Sequence, residues 1–258
     1  MPKPHVKIDF KSVRYQVKTA TTWSEVLSVL RLRHEIFFRE FMGKSGRKKW
    51  LPIDLDRHDF SFDHLIVKDL RDGRVVACYR LQSSKFKKST RKFYTEEEFN
   101  LDDFLSLTGH KVELGRASVH KDYRKGTVII LLWQGLYQYV KKVEAKYLFG
   151  CSSLSSTHFE RIPQIINDIS SDPSNQLGFQ VKVKSKYAIN SLNSVMGKAE
   201  NLAAEGNLNS LMGMYKLAGA KFSTELAYDK ELDCVDIFTC LDFHHLPEIF
   251  EQKLKRAT

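Results

Sequence analysis

The sequence predicts an α/β fold in which one mixed β-sheet carries helices on its faces. Three stretches point to it. FDHLIVKDL and RVVACYRLQ are two β-rich runs joined around Asp72–Gly73, a pair favoured in tight hairpin turns. Residues 111–119 read as another strand, after which the period changes. From Thr127, Val128, Leu132, Leu136, Tyr139 and Val143 fall at helical spacing, with Ile129, Ile130, Trp133 and Tyr137 filling other faces. A helix apolar on most sides belongs at the centre of a domain.

The remaining elements follow in order. Residues 11–18 read as a strand, and Thr22 with Glu25 forms a capping-box pattern that opens a helix to about Phe41. Its predicted apolar stripe is Trp23, Val26, Leu27, Leu30, Ile36, Phe37 and Phe41. A long polar loop precedes the hairpin, and loops of that length are often functional. Thr95 and Glu98 start a short helix to about Leu107. YLFGCSSL (147–154) is a buried strand, and residues 157–169 form a helix. FQVKVKSKY alternates like an exposed strand, and residues 185–207 show no period and read as a flap or a poorly packed helix. A helix ending near Gly219, a strand over 234–243 and a terminal helix complete the chain. No repeat or linker divides it, so residues 1–258 are expected to be one domain, with an N-terminal core over 11–155 and a C-terminal half over 156–258.

A chain of 258 residues, 42% hydrophobic and 28% charged, can bury a substantial core as an ordinary globular protein. It has no apolar run long enough to span a bilayer, and its start lacks the apolar region of a signal peptide. Cys78, Cys151, Cys234 and Cys240 form no CxxC pair, which favours buried free thiols over a disulfide or zinc framework. The net charge of +10 concerns partners rather than fold. Lys44, Arg47, Lys48 and Lys49 crowd one loop; Lys85, Lys87, Lys88, Arg91 and Lys92 crowd another. An acidic carrier protein, an anionic membrane or nucleic acid would each suit such runs.

Charges inside strands are the sharpest signal. With strict alternation, Glu113 shares a face with Gly115, Ala117 and Val119, while Arg116 lies among Val112, Leu114 and Ser118. An unpaired buried charge is costly, so Arg116 needs a partner. A bulge between the two would bring both charges to one side. Arg80 alternates with Val76 and Cys78 as a second strand-embedded arginine. Two such arginines suit an anionic ligand, whereas a structural ion pair is the plainer reading. Asp54, Asp56, Asp59 and Asp63 recur at short intervals, but the glycine and closing glutamate of an EF-hand are missing. Those carboxylates fit an amine better, and no metal site is expected.

RLRHEIFFREF (31–41), the aspartate loop into FDHLIV, CYRL (78–81), FYTEEEF (93–99), ELGRASVHKDYRKG (113–126) and LLWQGLYQYV (131–140) occur in an order that resembles the GNAT acyltransferase superfamily. More closely, they are similar to the ornithine-lipid-type N-acyltransferases, relatives of the acyl-homoserine-lactone synthases. LFGCSSL and residues 214–243 also fit. The resemblance implies a GNAT-like fold with a splayed central strand pair that receives the donor's pantetheine arm. It implies transfer of a 3-hydroxyacyl chain from acyl carrier protein to the α-amine of ornithine, with no cofactor beyond that thioester. Glu113 would be the general base and Arg116 its companion. Arg33, Phe37, Asp54, Asp56, Asp63 and Arg80 would line the acceptor side. Val119, Tyr123, Arg124, Lys125 and Gly126 would form the donor loop, and Lys87, Lys88 and Arg91 would dock the carrier. YRKGTVI has one glycine where the superfamily's coenzyme A loop has two, which favours a single phosphate. The resemblance implies a cytoplasmic enzyme, with peripheral contact to an anionic membrane and no nucleic-acid partner. The alternatives are another acceptor amine, as in an N-acyl amino acid or acyl-homoserine-lactone-type synthase, or a non-catalytic module that binds anionic membranes or nucleic acid.

Overall fold

The computed structural model describes residues 2–41, 51–88, 90–124, 126–189 and 210–255. In chain order the elements are β1 (Asp9–Lys11), β2 (Tyr15–Thr19), α1 (Trp23–His34), β3 (Asp63–Asp69), β4 (Val75–Ser83), β5 (Phe99–Asn100), α2 (Asp102–Ser106), β6 (His110–Val119), α3 (Thr127–Val143), β7 (Ala145–Ser155), α4 (Ile162–Ser171), β8 (Lys182–Val183), α5 (Ser210–Leu217), β9 (Lys221–Asp229), β10 (Cys234–Asp242) and α6 (Glu248–Lys255). A π-helical stretch, Glu35–Phe41, continues α1. The chain forms two compact units. The first joins Met1–Arg91, His110–Lys146 and Glu248–Thr258; the second joins Lys92–Gly109 and Tyr147–Pro247.

In the first unit β1, β2, β3, β4 and β6 lie side by side, each pair antiparallel. The expected strand over 11–18 is two strands, because a turn at residues 12–14 folds β1 back on β2. Side chains alternate between the two faces of this sheet. Ile66 and Cys78 face α1, where they join Val26, Val29, Leu30 and Leu32 in one apolar cluster. Val17 and Leu65 face α3, against Gly135.

The start of α1 agrees with the sequence. The Thr22 hydroxyl accepts the Glu25 N–H, and the Glu25 carboxylate accepts the N–H of Thr21, one residue before the expected partner. The stripe does not agree: Trp23 and Leu27 are 63% and 38% exposed, while Arg33 is fully buried. The buried arc is turned towards Val29 and Arg33, because a partner in the loop neutralises that arginine.

The second unit holds the antiparallel set β7–β10–β9, with Phe238 opposite Cys151 and Leu226 opposite Ile237. Its core is aromatic, built from Phe93, Phe99, Phe104, Phe149 and Phe238. The expected helix from Thr95 is instead a short turn, then β5 and α2, because Phe99–Asn100 pairs with Lys182–Val183. Strand β9 was not anticipated. The expected exposed strand over 179–187 shrinks to β8, and residues 190–207 of the expected flap lie outside the described residues.

Helix α3 lies close against the sheet at Gly135. A Cβ there would stand 2.6 Å from Val17 Cγ1 and 3.1 Å from Leu65 Cδ1. Gly135→Val should therefore overpack this seam and lower stability by about 1–3 kcal/mol, read from the denaturant midpoint at unchanged slope.

Candidate active site

The site begins with Arg33, whose guanidinium lies in the buried arc of α1. Its Nε and Nη2 donate to Asp54 Oδ2 at 2.8 and 2.6 Å, and its Nη1 donates to Asp59 Oδ1 at 2.5 Å. These bonds fasten the loop before β3 onto the helix, together with a bond from the Asp54 N–H to the Leu30 carbonyl. The loop turns tightly because Asp56 caps a 3-10 turn at Arg57–Phe60: its carboxylate accepts the His58 N–H while Asp59 accepts the Asp56 N–H.

Arg80 enters from β4. Its Nη1 donates to Asp56 Oδ2 at 2.6 Å and to Asp59 Oδ1 at 3.2 Å, and its guanidinium lies over Phe62. Arg116 arrives from β6 through a bulge. Cys78 pairs with Ser118 and Arg80 with Gly115, so two residues of β6, Arg116 and Ala117, oppose Tyr79 alone. Arg116 has φ 51°, a left-handed conformation that is strained for a non-glycine residue. Downstream of the bulge Ser118 shares the face of Cys78, and upstream Gly115 shares the face of Arg80. The pleat then puts Glu113 on that same face. The bulge thus brings Glu113 and Arg116 to one side, the alternative that strict alternation would have excluded. Arg116 Nε lies 3.2 Å from Asp54 Oδ2, Nη2 lies 3.4 Å from Asp56 Oδ2, and the guanidinium stacks on Phe37.

Three arginines and three aspartates therefore form one charge-balanced cluster. Arg33, Asp54 and Asp59 are closed off, whereas the Asp56 and Arg116 side chains keep 25% and 12% of their exposure. Burial alone would raise the Asp56 carboxyl, but Arg80 and then Arg116 outweigh it and hold the group well below the ordinary carboxylate range. Glu113 is 1% exposed, directly opposite Gln82.

Two members of this constellation escaped the sequence reading of the site. Asp59 was indistinguishable from its neighbouring aspartates until the turn fixed its direction. His64 sits on β3 opposite Arg80, with Nε2 3.9 Å from Asp59 Oδ1 and neither ring nitrogen hydrogen-bonded. Burial, aided by Arg33 and Arg80 against the pull of Asp59, pushes it down to about 4. Its ring is neutral at pH 7.

Asp63 stands on the opposite face. It accepts the N–H groups of His5 and Val6 and the hydroxyl of Tyr139, which pins the N-terminal segment and α3. The loop residues after β6 are held elsewhere: Tyr123 donates to Asp69, and Arg124 bridges the Val119 carbonyl and Glu40. Gly126, at φ 89°, caps α3, and Lys125 lies outside the described residues. Lys88 and Arg91 are exposed on the loop after β4, where Lys87 donates to the Arg91 carbonyl. In the second unit Glu98, Cys151 and Asp236 bring ligand atoms within 4.8 Å of one another. The Cys151 thiol donates to Glu98 and Ser153 donates to Asp236.

Residues 32–134 match the family model described as acetyltransferase (GNAT) domain. The chain is 31% identical to an L-ornithine N(alpha)-acyltransferase of Rhodobacter capsulatus over 58% of this chain and 60% of that protein. Against the protein of the same name from Rhizobium meliloti it is 31% identical over 54% of this chain and 49% of the relative. The chain thus spans about half the length of the curated relatives it matches. The solved N-acyl amino acid synthase FeeM from uncultured soil microbes superimposes with a TM-score of 0.49 at 10% identity, covering 95% of this chain and 97% of its own. The CoA-dependent acyl-homoserine lactone synthase BjaI gives 0.47 at 12% identity over 91% and 82%.

Replacing Arg33 by Met would leave two carboxylates buried without their main counter-charge, so stability should fall by about 3–5 kcal/mol in denaturant unfolding. The His64 ring takes up a proton near pH 6.5 when unfolded, but only near 4 when folded. The folded state binds fewer protons in that window, so stability should decline as pH falls from 6.5 to 4. His64→Gln should flatten that slope in melts recorded across the range.

Proposed function

We propose that this chain, whose residues 32–134 match a GNAT acetyltransferase domain model, is an N-acyltransferase that moves an acyl chain from acyl carrier protein to the α-amine of ornithine. The observation that carries the reading is positional. The matched stretch encloses Arg33, Phe37, Asp54, Asp56, Asp59, Arg80, Glu113 and Arg116, which is the whole charged constellation. The two relatives named above support ornithine as acceptor.

In this reading the amine nitrogen attacks the thioester carbonyl, the carbon–sulfur bond breaks, and the thiol of the carrier's arm leaves. An α-amine has a reference pKa of about 8, so most of it is protonated at pH 7. Glu113 accepts the amine's proton, through a water because the carboxylate is closed off. Arg116 takes the acceptor's carboxylate and Asp56 its side-chain ammonium, since these two keep access to solvent while Arg33 occupies Asp54 and Asp59. The donor's phosphate lies at the loop from Val119 to Gly126, and its carrier docks on Lys87, Lys88 and Arg91. The product is an amphiphile, which suits a cytoplasmic enzyme in peripheral contact with the inner membrane face. No helix among the described residues is long and apolar enough to cross a membrane.

The test is to incubate the protein with acyl carrier protein thioester or acyl-coenzyme A and a panel of amines, then weigh the products. Acylated ornithine from the carrier thioester is the expected product; acylation of a different amine would transfer the same mechanism to that acceptor. Glu113→Gln should keep the fold and lower turnover roughly 10²–10⁴-fold. Near-normal turnover would remove Glu113 from the chemistry.

A further inference from the structure

The second unit gathers metal-ligand atoms that no spacing in the sequence announced. Strands β7 and β10 pair with Ser153 opposite Asp236, so Cys151, two residues along β7, is the diagonal neighbour of Asp236 on the same face. The Glu98 side chain reaches that face from the turn before β5. Its backbone is fixed on both sides, because its N–H bonds the Thr95 carbonyl and its carbonyl accepts the Lys184 N–H. One ligand atom from each of Glu98, Cys151 and Asp236 lies within 4.8 Å of the other two.

Burial and distance both suit a cation here. Glu98 and Asp236 are 1% and 3% exposed, and two carboxylates so deep and so near repel each other. A thiolate sulfur about 2.3 Å and a carboxylate oxygen about 2.1 Å from one tetrahedral zinc stand about 3.6 Å apart. Cys151 Sγ lies 3.8 Å from Glu98 Oε2. Outer groups steady the three ligands: the Thr95 hydroxyl is 3.9 Å from Cys151 Sγ, Ser153 donates to Asp236 Oδ1, and the Cys234 thiol donates to Asp236 Oδ2. Each of those oxygens has a second lone pair. Asp229, Cys234 and Asp236 form another close set, but Asp229 Oδ1 already accepts the N–H groups of Glu231 and Leu232, and all three residues are buried. Cys151 is only half-buried, which gives the first set a path to solvent.

We infer that Glu98, Cys151 and Asp236 bind one zinc ion, with water in the fourth position. The donor set selects zinc: calcium and magnesium take oxygen ligands, and copper(I) prefers sulfur and imidazole to carboxylates. On binding, the Cys151 sulfur–hydrogen bond is exchanged for a sulfur–zinc bond and the proton leaves to solvent, with no change of oxidation state. The ion ties the turn at Glu98 to β7 and β10.

The test uses the full chain and reads metal rather than turnover, so its result is independent of the acyltransfer reading. Protein stripped with a chelator and then given zinc should retain one ion per chain after gel filtration, measured by atomic emission. In weak buffer the titration should release at least one proton per zinc. Cadmium in place of zinc should give the ultraviolet charge-transfer band of a metal–thiolate bond. Cys151→Ser should lose that band, and Glu98→Gln, which keeps the thiol, should weaken zinc affinity at least about tenfold. Circular dichroism of the metal-free variants checks their folding. A parent protein that gives no band overturns the inference whether or not the variants fold. A band that persists in Cys151→Ser, or full zinc affinity in Glu98→Gln, overturns it equally, because the ion would then sit elsewhere.

Discussion

The bidentate grip of Arg33 on Asp54 and Asp59 is the constraint from which the first unit's functional face follows. A guanidinium buried in the arc of α1 would be intolerable alone, and so would two carboxylates under a loop. Together they hold each other in place and bring the loop onto the helix at a defined register. That placement presents Asp59 and Asp56 to Arg80, which in turn leaves Asp56 for Arg116. A buried ion pair is weak evidence of net stability, because well-packed apolar residues often do as well. Its contribution here is geometric: six charges cancel, and only the Asp56–Arg116 end remains open to solvent.

Much of this was legible in the sequence, and the failures have physical causes. The strand-embedded Arg80 and Arg116 stood out because charges in apolar strands demand partners. The bulge was conceivable but not decidable, since period-two alternation contains no mark of a residue that adopts a left-handed backbone. His64 was missed for a related reason. A two-residue turn at Asp72–Gly73 without irregularity would place Leu81 opposite His64; instead Lys68 pairs with Val75 across a longer turn, and a register shift between Val67 and Lys68 then places Arg80 there. Faces depend on register, and register depends on irregularities that composition does not record.

The helix stripe teaches the same lesson from the other side. Counting Trp23 and Leu27 in the core stripe and leaving Arg33 out of it assumes that burial follows polarity, yet tertiary partners reverse both assignments. In the second unit, β5 and β8 have two residues each and exist only by pairing with one another. Local pattern did not announce β5, and the alternation over 179–187 promised a longer strand than the two residues of β8.

One feature of the chain's layout bears on how the molecule is made. Helix α6 completes the first unit, with Phe250 edge-on to Trp133, Glu251 accepting from Tyr137 and the Lys253 carbonyl accepting from Gln134. These partners lie 114 to 119 residues apart, separated by most of the second unit. At a ribosomal rate of about 5–20 residues per second, the indole of Trp133 waits roughly 5–20 s for its cover. During translation the nascent first unit therefore exposes an apolar flank that a chaperone can recognise, and its closure is timed by synthesis of the polypeptide in between.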